Sequence, residues 1–481
     1  MKSIYFIIAC LGIGAFSITV AQAQTASNNY FIESSHVRTN LNPALRPNSS
    51  YIGVPFLSGI GVDYKTNTFN LENLTFKKNG ERVTFMHSDV TNGEFMKNVS
   101  DKNYLSTNVG YDIFSMGFYK KDAFWNINLG VKVQTDVNIP KSFFRLMKEG
   151  FAQDIEQTYV IEDLNATANS YLELGVSYSR PFLDNSLMLG LRTKLLGGIA
   201  NFDLNAEKVE LTAGSDIWRA RSNVKLQGSA PGVKPKFKEK EREGREPINQ
   251  IDGFDFDDWT SFSGYGLGFD IGGVYDFGKL AGTIDGTMGN VLSNLKVSLA
   301  FTDMGFISWT KKNSTHLAST GEEVVIEPGD YTIHTDGSSS LEDVFDDVMD
   351  DLEQAINLEE GKRKGRSTSL RTTMNMGAEY SFFDNRLSAG LLYSLRFGNY
   401  YNVSELTISG NYRPKSWLAT TLSYSFLHSD FNTVGFAMYL TPSKGVNFFV
   451  AGDYIIPNVS PEWIPTTTKA MNVQFGFSVP M

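Results

Sequence analysis

Long, strict alternation of apolar and polar residues restricts this chain's fold more than any other feature it has. The apolar set Ile127, Leu129, Val131, Val133, Val137 and Ile139 is interleaved with Asn126, Asn128, Gly130, Lys132, Gln134, Asp136 and Asn138, and Thr135 is the one break in the apolar face. A two-residue period belongs to an extended strand, whose successive side chains point to opposite faces. The pattern returns at Leu172–Tyr178, Leu187–Leu195, Tyr265–Phe277, Met374–Phe382, Leu387–Phe397, Leu418–Phe426 and Val473–Val479. Weaker versions occupy Ile52–Tyr64, Val109–Tyr119, Leu295–Phe301, Leu406–Tyr412, Val434–Leu440 and Phe448–Tyr454. These make about fourteen segments, several of ten residues or more, whereas strands of soluble proteins average about five or six.

Which face is buried decides the class. In a sandwich the apolar face is the core and the polar face meets water; in a membrane barrel the apolar face meets lipid and the polar face lines the bore. Segment length favours the barrel. So do the aromatic residues near segment ends (Tyr119, Trp125, Tyr393, Phe397, Tyr412, Trp417, Tyr424, Phe426 and Tyr454), which sit where an interfacial girdle would. Aromatic content of 13%, with 43 glycines and 15 prolines, suits strands punctuated by turns. After Val20 no run approaches the ~20 apolar residues of a membrane-crossing helix. The expected class is all-β, an antiparallel transmembrane β-barrel of about 14 strands with long extracellular loops containing short helices; a secreted sandwich array is the alternative.

The N-terminus carries an export signal. Lys2 precedes the apolar run Ile4–Val20, and Ala21-Gln22-Ala23 is a small-residue cleavage site that places the cut before Gln24. A lipoprotein-type cut before Cys10 would leave only Ile4–Ala9 as the apolar core. Cys10 is the single cysteine, so the mature chain has no thiol for disulfide or zinc chemistry. The division expected is a signal peptide over 1–23, an N-terminal plug or leader over 24–50, and a barrel over 51–481 in the outer membrane. A net charge of −10 argues against nucleic acid as a partner.

Connections give a second test. Tight turns are expected at Lys120–Asp122, Leu183–Asn185, Phe383–Asn385, Arg413–Lys415 and Pro442–Gly445, most of them rich in turn formers. With an even strand count and a periplasmic C-terminus, every tight turn falls on one side and the long segments Lys65–Ser106, Asn138–Ala168, Asn201–Ser261 and Ser308–Leu370 fall on the other, outward side.

Other motifs have plain readings. Gly264, Gly266 and Gly268 lie within continuing alternation with no helix after them, so they are bore-side strand glycines rather than a nucleotide loop. The run Lys234–Pro247, dense in both signs, reads as a mobile surface loop, and Asp252–Trp259 as a solvated acidic loop. Lys141–Phe151 is an amphipathic helix that caps the barrel mouth or lies on the membrane. Leu341–Ile356 is a loop helix with carboxylates on its outer face, spaced unlike any calcium loop. His36, His87, His316, His334 and His428 are scattered, with no neighbourhood for hydrolysis and no metal spacing. No cofactor, metal site or enzymatic activity is expected.

Four stretches carry a resemblance: "YFIESSHVRTNLNPALRPNSSYIGVP", "IPKSFFRLMKEG", "FTDMGFISW" and "LEDVFDDVMDDLEQAINLEE". Over nearly the whole mature length they look like an uncharacterised family of Bacteroidetes outer-membrane proteins with a domain-of-unknown-function label. More distantly, Asn42-Pro43-Ala44 resembles the Asn-Pro-Ala of the FadL-like superfamily, which includes secretion-associated PorV-type barrels. That resemblance implies a fourteen-strand barrel with an N-terminal plug. It gives Asn28–Asn48 a role: a bore enclosed by about fourteen strands is wider than wall side chains alone fill, and irregular backbone is tolerated at membrane depth when protein surrounds it. Asn40, Asn42, Pro43 and Ala44 are the plug residues, and Lys132, Gln134, Asp136, Arg192 and Lys194 the bore-facing polar ones; a periplasmic leader is the alternative reading of the segment. Two functions follow. The resemblance implies passage of a small hydrophobic ligand across the outer membrane, with outer-membrane lipid as surroundings; the alternative is a scaffold for a secretion or cell-surface protein complex. A continuous apolar pocket behind the plug would favour the first, a bore filled with charge the second.

Overall fold

The computed structural model describes residues 25–149, 156–213, 218–231, 233–242, 245–256, 261–278, 287–319, 321–326, 358–427, 430–442, 445–455 and 469–481. The signal peptide, the Leu341–Ile356 helix and Gly244 lie outside them. Fourteen wall strands run in chain order. They are β1 (in two pieces, Tyr51–Gly53 and Gly59–Thr66), β2 (Lys102–Lys120), β3 (Ala123–Pro140), β4 (Gln157–Phe182), β5 (Leu187–Ala213), β6 (Gly264–Asp276) and β7 (Leu295–Trp309). There follow β8 (Arg366–Ser369 and Thr373–Phe382), β9 (Leu387–Arg396), β10 (Val403–Lys415), β11 (Leu418–Leu427), β12 (Asp430–Leu440), β13 (Asn447–Asp453) and β14 (Ala470–Pro480). Each pairs antiparallel with its neighbours, and β14 closes on β1 with Val62 opposite Val473. Every alternating segment read from the sequence lies on one of these strands or runs no more than a residue past its end, except that Ile52–Tyr64 spans the break between the two pieces of β1.

Burial is inverted relative to a soluble protein. Leu191 and Ile271 are 50% and 51% exposed on the outside, while Arg192 and Asp270 beside them in sequence are 2% and 0% exposed inside. An apolar outer band around a closed ladder leaves no backbone group unpaired in lipid. This is the form in which outer-membrane proteins cross their membrane, and the chain is an outer-membrane β-barrel.

One end of the barrel has mostly tight turns, with Lys121, Leu183–Asn185 and Phe383–Asn385 at positive φ. The expected division of connections is not strict. The link from β6 to β7 on that end spans 277–294 and contains the helix Thr287–Leu292, while on the opposite end β11 passes to β12 across two residues. A two-residue link suffices wherever adjacent strands end level, whichever end that is.

The opposite end is a built layer. The outer halves of β4 and β5 continue as a sheet with Trp218–Ser229, to which Ser314–Ser319 and Glu323–Ile326 add. Tyr159, Ile161, Val209, Leu211 and Val224 form its core with Leu146 of the helix Lys141–Glu149. That helix also turns Phe144 into an aromatic cluster with Phe69, Phe85 and Phe95. It is therefore held by packing within this layer, each buried ring contributing roughly 2–3 kcal/mol. Lys234–Pro247, expected as a surface loop, lies mostly on paired strands. Val233–Arg242 and Arg245–Phe256 pair as a β-hairpin, which also takes in the first residues of the acidic Asp252–Trp259 stretch. Its pairing sets Val233, Pro235 and Phe237 opposite Phe256, Phe254 and Ile251, an alternation too short and too dense in charge to stand out in the sequence.

Candidate functional site

The bore is the site, and two things occupy it. The first is the N-terminal segment, in which the short turns Ser27–Asn29 and Val37–Asn40 are joined by irregular backbone. Extended or helical pairing would satisfy its peptide groups; here wall side chains do so instead. Asp453 accepts from the Ser27 and Asn28 amides at 2.7 and 3.2 Å, and Gln474 from the Asn29 side chain at 3.1 Å. Asn375 donates to the Leu41 carbonyl at 2.9 Å, and Arg413 to the Phe31 carbonyl.

Each expected plug residue contacts this framework. Asn40 accepts from Arg192 at 2.5 Å. Asn42 accepts the Ala44 amide at 2.9 Å, setting the turn at Pro43, and donates to the Tyr30 hydroxyl at 3.3 Å. The peptide joining Pro43 to Ala44 lies against Gly190, where any Cβ would collide with it, and Asn42 lies equally close to Gly272. Gly190 and Gly272 are thus among the bore-side glycines that let the segment approach, with Gly377 against Tyr30, Gly390 against Phe31 and Gly435 against Asn28. Gly264, Gly266 and Gly268 do face inward, but their nearest neighbours are wall residues.

The second occupant is charge. Lys132 meets Glu173 at 2.9 Å and Asp303 at 3.6 Å; Lys194 meets Asp270 at 2.7 Å and Asp303 at 2.5 Å; Arg192 meets Glu173 at 3.0 Å. Three cations and three carboxylates form one cluster along β3–β7. Other pairs cross the bore. Arg371, beside β8, reaches Asp136 of β3 at 2.7 Å; Arg396 of β9 reaches Asp63 of β1 at 3.5 Å; Lys65 of β1 reaches Glu405 of β10 at 3.8 Å. Gln134, Lys132 and Arg371 line the space left between this charge and the N-terminal segment, about 60 Å³. That is room for roughly four or five waters.

Sequence reasoning found Lys132, Asp136, Arg192 and Lys194 but not their complements Glu173, Asp270, Asp303 and Arg371. The signal was available: an ionisable side chain at membrane depth implies a partner. Among the described residues no three His, Cys, Asp or Glu side chains are grouped to hold a metal.

His36, dismissed as scattered, is fully enclosed. Its Nε2 donates to the Ser58 carbonyl at 3.1 Å, so Nδ1 accepts from the Tyr439 hydroxyl at 2.8 Å; Tyr51 and Phe449 pack on the ring. Burial holds its pKa down from 6.5 to about 4. Released from the bore, His36 takes up a proton first, so seating of the segment is at full strength above pH 6.5 and is weakened as pH falls towards 4. The loss is expected to reach about 3 kcal/mol. Conductance of the reconstituted barrel measured down this range should rise in the native protein and respond less in His36→Gln; identical profiles would rule the histidine out.

Several solved structures are similar in part. The TodX deltaS2S3 mutant monoaromatic hydrocarbon channel matches at 11% identity and a TM-score of 0.41, covering 92% of this chain and 94% of that one. The P. putida toluene transporter TodX matches at 10% and 0.38, covering 93% and 94%. A Pseudomonas aeruginosa FadL homologue matches at 9% and 0.39, covering 96% and 98%. No curated protein matches the chain. The model of one family spans residues 43–453, from the Pro43 turn in the bore to the Asp453 anchor on β13, and the chain belongs to that family, the Family of unknown function (DUF5723).

Proposed function

We propose that this barrel is closed to bulk passage and serves as a membrane-anchored scaffold, holding its outer layer as the contact surface for a secretion or cell-surface protein complex. The filling of the bore carries this reading. Ion pairs link opposite walls above an N-terminal segment fixed by Asp453, Gln474, Asn375 and Arg413, and the small space between is lined by charge. A hydrophobic molecule would have to strip water from these groups without replacing it, which costs several kcal/mol per uncompensated charge.

A second reading, passage of small hydrophobic ligands, has one observation in its favour. On the lipid side an apolar groove of about 570 Å³ is lined by Leu174, Leu195, Phe262, Tyr265, Leu267 and Phe306. On the bore side of the same wall Tyr171, Leu196, Ile307, Trp309 and Leu370 pack together. Leu196 belongs to both, and at this wall Gly197 lies against Phe262 while Gly198 and Gly264 lie against Trp309.

Purification from native outer membrane, with bound proteins and small molecules identified by mass spectrometry, distinguishes them. A stoichiometric protein partner that is lost when Val233–Phe256 is deleted supports the scaffold. A tightly bound apolar molecule with no protein partner overturns it in favour of passage.

Orientation is testable separately. A tag at Asp384, on the tight-turn end, should be invisible on whole cells, whereas one at Gly244 should be labelled; labelling at Asp384 on intact cells would reverse the assignment.

A further inference from the structure

Among the described residues, Arg38 is a buried charge that makes no hydrogen bond or ion pair. It lies in the Val37–Asn40 turn and is 5% exposed, with its Nε unpaired. The carboxylates near it are already engaged. Glu33 meets Lys296 at 3.6 Å and accepts from Asn385 at 3.1 Å; Glu379 accepts from Arg413 at 2.7 Å and from Ser388 at 2.6 Å. Burial pulls the Arg38 pKa below its ordinary value, and the nearby charges of Glu33 and Glu379 offset this only in part.

Arg38 lines a pocket of about 440 Å³ at the tight-turn end, between the N-terminal segment and β5–β7. Its apolar wall is Phe31, Leu45, Met188 and Val274. Pockets of this size and mixed lining take small molecules.

We propose that this pocket binds a small monoanion, a carboxylate on a compact apolar body, with the Arg38 guanidinium as its counter-ion. A planar guanidinium presents two parallel N–H donors at the spacing of carboxylate oxygens. The apolar wall takes the body of the ligand. Lys296 also lines the pocket but is engaged by Glu33 at 3.6 Å and Asp276 at 3.9 Å, and Arg46 is engaged by the Asp122 carbonyl at 2.7 Å and the Tyr119 ring. A second negative charge on the ligand would therefore meet the carboxylates Glu33, Glu379 and Asp276 with no further uncommitted cation in the lining. The site opens on the tight-turn end and does not depend on whether the bore conducts or what the outer layer holds.

The test is calorimetric titration of the mature full-length barrel, in neutral maltoside micelles, with benzoate and its neutral isostere benzamide. Benzoate is expected to bind about tenfold more tightly than benzamide, the effect of one charge-assisted pair. Inorganic phosphate at alkaline pH, a dianion, should compete poorly. Arg38→Gln should lower benzoate to the level of benzamide, and Arg38→Lys should keep part of the preference. Heat-modifiable gel mobility checks that each variant is folded; if Arg38→Gln does not fold, the native comparison decides alone. Equal binding of benzoate and benzamide, or a preference that survives Arg38→Gln, overturns the site, and phosphate competing as well as benzoate overturns the monoanion assignment.

Discussion

A barrel lacking Asn28–Asn48 is expected to insert into the membrane as the full chain does and to conduct ions where the full chain does not. The wall ladder runs unbroken from β1 round to β14 without a rung from the N-terminal segment, so its loss removes contents rather than wall. What remains in the deleted barrel is the set of bridges across the bore, Arg371 to Asp136 and Arg396 to Asp63. Adding Arg371→Ala to the deletion is therefore expected to raise conductance a further several-fold and to sensitise cells to bulky antibiotics. A single substitution should imitate the deletion: Gly190→Val puts a branched side chain where the Pro43–Ala44 peptide lies, and the wall ladder can accept valine. Planar-bilayer recordings check all three. Unchanged conductance in a correctly inserted deletion would mean that the segment is a leader and that other parts of the chain close the bore.

The second large effect is expected at Asp303. Its carboxylate is shared by Lys132 and Lys194, and its own amide donates to Asp270 at 2.7 Å. Asp303→Asn keeps the shape and tolerates the residue's φ of 58°, but leaves the buried Lys194 and the partly exposed Lys132 with only Glu173 and Asp270 between them. Removing one partner from a buried ionic cluster costs about 3 kcal/mol. Urea unfolding of the refolded barrel in lipid vesicles should show that loss as a lower midpoint with an unchanged slope. A variant as stable as the native protein would mean that the cluster adds nothing to stability and that its value lies in filling the bore.

Strand positions were legible because a lipid-facing wall demands alternation at every turn of the chain; a wall strand such as Leu387–Arg396 cannot hide its period. What the sequence concealed falls into two kinds. Asp303 sits at a local break in pairing between β6 and β7, where the φ of 58° interrupts the alternation that would have marked it as inward-facing. The hairpin Val233–Phe256 alternates over only Val233, Pro235 and Phe237 before its charges crowd both faces, too short a period to announce a strand. The bore residues were half legible: inward lysines and arginines can be read from parity, but the carboxylate that each one meets is fixed by register between strands, which no single segment records. His36 and Arg38 lie in irregular backbone, where no period exists to say which way a side chain turns.

β5 has a mechanical consequence. This one strand carries Gly190 against the Pro43–Ala44 peptide, Arg192 against Asn40, Lys194 in the ion cluster and, beyond Asn201, the sheet of the outer layer. At 27 residues it has a contour of about 90 Å, of which a bilayer needs only ~9–11 residues. No loop interrupts it. A pull on the outer sheet would therefore load the β4–β5 ladder in shear, straining many rungs together rather than unzipping them singly. The tension would arrive at the seat of the N-terminal segment with no hinge in between to absorb it.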